Sequence, residues 1–150
     1  MKVVLLAGGY GTRIAEYTDV MPKPMVTIGS YPILWHIMNH YANFGFREFV
    51  VALGYKSEAI KSYFLNFRNF GSDLEIDLKT GEVSFMSASS VEWKVSLVET
   101  GKNSLTGERL RRLRHVLGNE TFMLTYGDGI SNVNLHRLLE FHRKKTRLAT

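Results

Sequence analysis

Short apolar runs alternate with amphipathic helical segments along most of this chain, and this alternation restricts the fold more than any other feature. Residues 2–7 are a continuous apolar run, typical of a strand that is buried on both faces of a sheet, and residues 48–53 and 121–126 are predicted to be further buried strands. Residues 32–44 and 57–67 place apolar side chains at helical spacing. The pattern predicts an α/β fold with a largely parallel sheet, whose strand-to-helix loops gather at the carboxyl edge, where ligands bind.

Two segments depart from this pattern. Within residues 72–93, Asp73, Glu75 and Asp77 alternate with apolar residues, and this period of two predicts an edge hairpin with one solvent-exposed face. Residues 147–150 are typical of the beginning of a further strand. Because an α/β domain that ends on entering a strand lacks part of its sheet, we expect the chain to be an incomplete domain, truncated at its C-terminal side.

The composition excludes several classes of protein. The chain has 150 residues, is 45% hydrophobic and contains no cysteine, which excludes a disulfide framework, a thiolate metal site and a cysteine nucleophile. Its net charge of +5 is unevenly distributed: residues 1–100 carry nine Lys/Arg and ten Asp/Glu, whereas residues 101–150 carry ten and four. The surplus of positive charge is therefore confined to residues 101–150. No apolar run has membrane-spanning length. We predict a cytoplasmic protein that binds neither nucleic acid nor membrane.

The strongest functional motif follows the first predicted strand directly. Residues 6–13 read LAGGYGTR, and glycines at such a position let the backbone approach a polyphosphate with its N–H groups turned inward. Thr12 adds a hydroxyl donor, and Arg13 adds a planar fork that matches phosphate oxygens. A dinucleotide-binding fingerprint needs glycine where Ile14 stands, and the Gly-Lys-Ser/Thr of a Walker A loop is absent. The sequence therefore predicts a phosphate loop of another kind.

Two further charged residues are suited to phosphate and metal chemistry. Lys23 lies between Pro22 and Pro24, which fix the local backbone and can hold the ammonium group at a phosphate. Asp128 follows residues 121–126 and lies between two glycines, at the predicted carboxyl edge of the sheet. Its carboxylate is a suitable ligand for Mg²⁺, and an ordinary Asp-Gly turn is the alternative interpretation.

These motifs resemble those of a known family. GGYGTR followed by PKPM resembles the signature of the sugar-nucleotide pyrophosphorylases, which are nucleotidyltransferases that act on sugar 1-phosphates. The stretches WHIM (35–38), LVETG (97–101), TGERL (106–110) and TYGDG (125–129) resemble its glucose-1-phosphate cytidylyltransferase branch, over essentially the whole chain. The resemblance implies a three-layer Rossmann-like nucleotidyltransferase fold and a homo-oligomer.

The resemblance also implies an activity and a set of site residues. Such enzymes join CTP and α-D-glucose 1-phosphate to give CDP-glucose and pyrophosphate, with magnesium as cofactor, for the synthesis of surface polysaccharide. By this resemblance Arg13, Lys23 and Asp128 are catalytic, and Asp128 binds the metal. The implied nucleotide- and substrate-binding residues are Leu6, Ala7, Gly8, Gly9, Tyr10, Gly11, Thr12, Arg13, Lys23, Ser104, Thr106, Gly107, Arg109 and Asp128. A second metal carboxylate and the sugar-binding part are implied to lie beyond residue 150.

Three alternatives stay open at this point. The first is another sugar-1-phosphate nucleotidyltransferase that uses UTP, dTTP or GTP, because one sequence cannot place the hydrogen bonds that select a base. The second is a nucleotide-binding fragment without catalytic activity. The third is a nucleic-acid-binding module that uses the arginines of residues 109–114. The leucines of that segment indicate one apolar helix face, so we expect its arginines on the solvent side.

Overall fold

Strands and helices alternate along the chain, as the sequence predicts. The computed structural model describes residues 1–10, 21–87 and 91–150. In chain order the strands are β1 (Lys2–Leu6), β2 (Thr27–Ile28), β3 (Tyr31–Pro32), β4 (Glu48–Leu53), β5 (Leu74–Asp77), β6 (Glu82–Phe85), β7 (Lys94–Glu99) and β8 (Met123–Tyr126). The helices are α1 (Ile33–Asn43), α2 (Ser57–Leu65), α3 (Phe67–Gly71), α4 (Thr106–Arg112), α5 (Arg114–Leu117) and α6 (Leu135–Lys145), with a 3₁₀ turn at Lys23–Met25.

Four parallel strands form the central sheet, in the spatial order β7–β4–β1–β8. The first strand lies inside the sheet, and its Val4 pairs with Val50 of β4 on one side and with Leu124 of β8 on the other. The chain moves outward from β1 through β4 to β7 and then returns to the opposite side of β1. The direction of winding therefore reverses between β1 and β8, and in open α/β sheets the ligand crevice lies at the carboxyl end of such a reversal.

The side chains of β1 pack into two apolar clusters, one on each face of the sheet. Val3 and Leu5 belong to a cluster completed by α1, α2 and the first residue of α6. Val4 belongs to the opposite cluster, where it packs with Leu113 and Leu117 of the α4–α5 region. Helices on both faces of a parallel sheet make three layers, so the predicted three-layer α/β architecture is confirmed.

Three segments differ in detail from their predicted form. Strands β5 and β6 pair with each other as a separate two-stranded antiparallel sheet, and within the described ranges they do not extend the central sheet. The predicted helix that carries the arginines is divided at Leu113, whose ψ of −2° departs from helical values. Residues 147–150 form no strand, and Leu148 is fully exposed to solvent. A strand at this position would need a neighbouring strand as a pairing partner.

The longest helices of the described part of the chain, α1 and α6, have 11 residues each. None of the described helices combines the length and the apolar character that a membrane-spanning segment needs.

Candidate active site

A cavity of about 300 Å³ opens at the carboxyl ends of β1 and β8, where the winding of the sheet reverses. Its walls come from the end of β1, the 3₁₀ turn, the segment that leads into α4, and the end of β8. The lining residues are Leu6, Ala7, Gly8, Gly9, Lys23, Pro24, Ser104, Leu105, Thr106, Arg109, Tyr126 and Asp128. The position of this cavity agrees with the general site for ligands in open α/β sheets.

Nine of the fourteen predicted binding residues line this cavity. Tyr10 lies beside it: its hydroxyl donates a hydrogen bond to the side-chain carbonyl of Asn103, and its ring lies 5.0 Å from the ring of Tyr55. Gly107 is exposed in the first turn of α4 and lies outside the lining. The remaining three, residues 11–13 (Gly11, Thr12 and Arg13), fall outside the described ranges, so their roles stay predictions.

Three lining residues were not predicted from the sequence. Pro24 and Tyr126 belong to the quoted PKPM and TYGDG stretches, but an apolar ring and a strand-terminal aromatic carry no chemical signal of their own. Leu105 lies between two predicted residues and is 82% exposed. The sequence feature that could have indicated Leu105 is its position between Ser104 and Thr106, two predicted ligand-binding residues.

Lys23 and Asp128 form an ion pair across the cavity. The ammonium nitrogen Nζ of Lys23 lies 2.9 Å from Oδ2 of Asp128, and the two side chains are 26% and 34% exposed. Lys23 begins the 3₁₀ turn directly after Pro22, whose backbone is extended, and the following Pro24 is buried. Both charges keep access to solvent, so either group can exchange its partner for a phosphate or a metal ion.

Arg109 is almost fully buried at the floor of the cavity, with 5% of its surface exposed. Its Nη1 donates hydrogen bonds to the carbonyls of Leu53 (3.0 Å) and Gly101 (2.8 Å) and to the hydroxyl of Thr100 (2.7 Å). Its Nη2 donates to the carbonyl of Gly8 at 2.8 Å, with a longer contact of 3.3 Å to the carbonyl of residue 102. The expectation of a solvent-facing arginine row is therefore wrong for this residue.

Burial lowers the pKa of the Arg109 guanidinium from its usual range, and the neighbouring charge of Arg112 lowers it further, while Tyr10 acts in the opposite direction. An arginine side chain nevertheless stays protonated at neutral pH because its ordinary pKa lies above 12. The floor of the cavity thus carries a permanent positive charge. This charge favours an anionic ligand, such as a phosphate group.

Glycine lets the chain approach closely on two sides of this site. A Cβ atom on Gly8 would lie 2.2 Å from Nη1 of Arg109, so no larger residue fits there while the guanidinium keeps its place. A Cβ on Gly127 would lie 3.1 Å from the carbonyl oxygen of Leu6, which is tighter than an ordinary contact. Glycines therefore allow the ends of β1 and β8 to flank the cavity closely.

The donor set suits a magnesium ion that arrives with its ligand. Among the described residues no group of three or more His, Cys, Asp or Glu lies together, so the protein offers no metal cage of its own there. Mg²⁺ usually takes one or two protein carboxylates and completes its shell with substrate phosphates and water. The partly exposed carboxylate of Asp128 at an open, positively charged cavity fits this requirement.

Comparison with known proteins identifies the family. A family model described as Nucleotidyl transferase matches residues 2–150. The chain belongs to this family. The probable glucose-1-phosphate cytidylyltransferase of Bacillus subtilis (strain 168) is a relative that is 46% identical over all 150 residues of the chain, and the glucose-1-phosphate cytidylyltransferase of Salmonella typhimurium is 42% identical. The chain spans 59% of the length of each of these relatives.

A solved structure shows the same nucleotidyltransferase fold. The crystal structure of UDP-glucose pyrophosphorylase complexed with UDP-glucose superposes on this chain with a TM-score of 0.69. The superposition covers 97% of this chain and 54% of the pyrophosphorylase chain. Sequence identity is 22%, so this likeness concerns the fold alone. The predicted family and its α/β fold are both confirmed.

Proposed function

We propose that the protein transfers a cytidylyl group from CTP to glucose 1-phosphate, giving CDP-glucose and pyrophosphate. The observation that carries the proposal is the pairing of Lys23 with Asp128 across the cavity at the end of β1. A cation suited to phosphates and a carboxylate suited to magnesium lie side by side, next to the glycines that follow the strand. The two cytidylyltransferase relatives support the choice of CTP and glucose 1-phosphate.

The proposed reaction is a direct displacement at phosphorus. A phosphate oxygen of the sugar phosphate attacks the α-phosphorus of CTP, and the bond from that phosphorus to the bridging oxygen breaks. The bonding electrons leave with pyrophosphate, and no bond to the protein forms. The task of the protein is therefore to position the reactants and to neutralise the charge of the leaving group.

Lys23, Arg13 and Asp128 each have a part in this proposal. Lys23 stabilises negative charge on the departing pyrophosphate, and Arg13 acts with it. Asp128 holds magnesium, which supplies charge neutralisation at the phosphates when it is bound. The backbone of residues 6–13 lines the triphosphate, together with Tyr10 and Thr12. Ser104 and Thr106, in the segment that begins α4, contact the nucleotide from the other wall. Gly107 lies outside the lining, so its predicted contact has no part in this proposal.

A pyrophosphate-release assay tests the proposal. The longest natural form of the protein that contains these residues is incubated with magnesium, each of CTP, UTP, dTTP and GTP, and several sugar 1-phosphates. We expect turnover with CTP and glucose 1-phosphate at the highest kcat/KM. A preference for another nucleotide would move the assignment to a different branch of the family. Binding of CTP with no turnover for any pair would favour the non-catalytic alternative.

The remaining expectations concern the setting of the reaction. We propose that the protein acts in the cytoplasm as a homo-oligomer and that its product serves the synthesis of surface polysaccharide. Light scattering of the purified protein measures its mass in solution. A monomer at micromolar concentration would contradict the expected assembly.

A further inference from the structure

Arg109 carries a buried charge that no acidic side chain neutralises in the part of the chain that the structure describes. Its five hydrogen-bond acceptors are four backbone carbonyls and the hydroxyl of Thr100. Buried arginines are usually paired with carboxylates, because the charge must be compensated once water is removed. Here the compensation comes from backbone dipoles, so the position of the charge is tied to the position of the backbone.

The backbone that Arg109 holds belongs to three neighbouring strands. Gly8 follows β1, Leu53 ends β4, and residues 100–102 follow β7. Thr100 strengthens the connection, since its hydroxyl donates to the carbonyl of Leu53 at 2.6 Å and accepts from Nη1 of Arg109. A single guanidinium thus fixes the carboxyl ends of three parallel strands relative to one another.

The bond to Gly8 has a consequence for the residue that follows it. The carbonyl of Gly8 is held from two directions, by Nη2 of Arg109 at 2.8 Å and by the backbone N–H of Tyr55 at 3.2 Å. A peptide unit is planar and trans, so the N–H of Gly9 points opposite to this carbonyl. Gly9 lines the cavity, and among the described residues its N–H has no hydrogen-bond partner.

Gly54 supplies the space that the guanidinium needs. A Cβ atom at this position would lie 2.6 Å from Nη1 of Arg109 and 2.7 Å from the carbonyl oxygen of Gly8. Gly54 does not line the cavity, and neither does Thr100. Both residues can therefore influence a ligand only through Arg109 and the backbone that it holds.

We propose that Arg109 is a positioning residue, which aims the N–H of Gly9 at a phosphate group by holding the carbonyl of Gly8. Gly54 and Thr100 complete this clamp. The proposal rests on the proposed function, because it takes a nucleoside triphosphate as the ligand. It states that Arg109 affects the binding of the triphosphate part of this ligand and not the binding of its base or ribose.

The experiment compares the binding of CTP with that of inorganic triphosphate, both with magnesium, by titration calorimetry on the natural protein and its variants. Arg109→Lys keeps the charge but loses the planar fork of the guanidinium. We expect this variant to weaken the binding of CTP and of inorganic triphosphate by the same factor, about tenfold, since hydrogen bonds to a charged group are among the strong ones. Thr100→Val should weaken the binding of both ligands by about threefold, whereas Thr100→Ser, which keeps the hydroxyl, should bind them as tightly as the natural protein does. Arg111→Met, on the exposed side of the same helix, leaves both unchanged.

Amide hydrogen exchange of Gly9 is the second measurement. Thr100→Val and Gly54→Ala are expected to accelerate it in the ligand-free protein, because the Gly8–Gly9 peptide is then held less firmly. These two variants also keep the proposal testable if Arg109→Lys does not fold.

Two results would overturn the clamp. One is a loss in Arg109→Lys that affects CTP but not inorganic triphosphate, because Arg109 would then contact base or ribose. The other is a Thr100→Val variant with the affinities and the Gly9 exchange rate of the natural protein. A natural protein that binds triphosphate but transfers no cytidylyl group contradicts the proposed function and leaves the clamp standing. A natural protein that binds no triphosphate contradicts both.

Discussion

Removal of the Lys23 ammonium group is expected to change the affinities for metal and for nucleotide in opposite directions. In the ligand-free protein Lys23 neutralises Asp128 at 2.9 Å. A divalent cation that binds Asp128 must displace this ammonium group, so Lys23→Met removes a competitor and a repulsive charge. A triphosphate instead loses a cationic contact in the same variant. Lys23→Met should therefore bind metal more tightly and CTP more weakly.

The magnitude follows from the exposure of the pair. Ion pairs at the surface contribute about 0.2–1 kcal/mol, and side chains that are 26% and 34% exposed belong near the upper end of this range. About 1 kcal/mol corresponds to about a fivefold change in a binding constant. We expect the dissociation constant of Mn²⁺, used as a paramagnetic substitute for Mg²⁺, to fall about fivefold in Lys23→Met. That of CTP should rise about tenfold, as for the loss of a charge-assisted contact.

Electron paramagnetic resonance of free Mn²⁺ measures the dissociation constant of Mn²⁺ without nucleotide and without turnover. Lys61→Met is the matched control, because it breaks the ion pair with Glu99 outside the cavity and should leave Mn²⁺ affinity unchanged. Unchanged or weaker Mn²⁺ binding in Lys23→Met would refute the competition. It would mean that the pair adds nothing to the cost of metal binding at Asp128.

Three further predictions concern catalysis, packing and pH. Asp128→Asn should lower the rate of pyrophosphate release at least about 100-fold while the unfolding midpoint moves by about 4 °C at most; a rate within tenfold of the natural protein would exclude Asp128 as the metal ligand. Gly127→Ala should lower the free energy of unfolding in urea by about 1–2 kcal/mol, because its Cβ would lie 3.1 Å from the carbonyl oxygen of Leu6. Gly129→Ala, whose Cβ meets nothing within 4 Å, is its control, and equal losses in the two variants would contradict the packing explanation. Burial raises the pKa of Tyr63 from 10.0 to about 12. The folded state then keeps a proton that the unfolded chain releases, so stability falls as pH rises from 10 to 12. Tyr63→Phe should remove this part of the fall in the thermal unfolding midpoint, and an equally steep fall in the variant would contradict the explanation.

Strands β1 and β4 of the central sheet could be predicted because they are apolar on both faces, whereas β7 and β8 are only partly buried. Residues 48–53 are apolar almost throughout, and they form β4 with the predicted bounds. The location of the site followed from the same pattern, since a glycine-rich loop after β1 and an aspartate after β8 must meet at one edge of a parallel sheet. The pairing of Lys23 with Asp128 was not predictable, because the separation of two side chains depends on loop paths that no local pattern records.

Arg109 shows where local reasoning failed. The sequence places it on a helix with other arginines, and a charge row of this kind usually faces solvent. Its burial depends on acceptors from Gly8, Leu53 and residues 100–102, and the first two lie 101 and 56 positions away from it along the chain. The structure of β5 and β6 has a similar cause: the period of two predicts strands, but it does not indicate which strands they pair with.

The pairing of β1 with β8 has a consequence for the order in which the chain folds. Val3 pairs with Met123, and the loop that this contact closes is among the longest in the chain. During synthesis the first strand can pair with β4 early, but its other edge stays open until β8 has been made. Contacts between such distant residues form slowly, because the entropy of loop closure must be overcome first. Gly8 and Asp128, on two sides of the cavity, can therefore come together only after β8 has been made, and their approach follows the closure of this long loop.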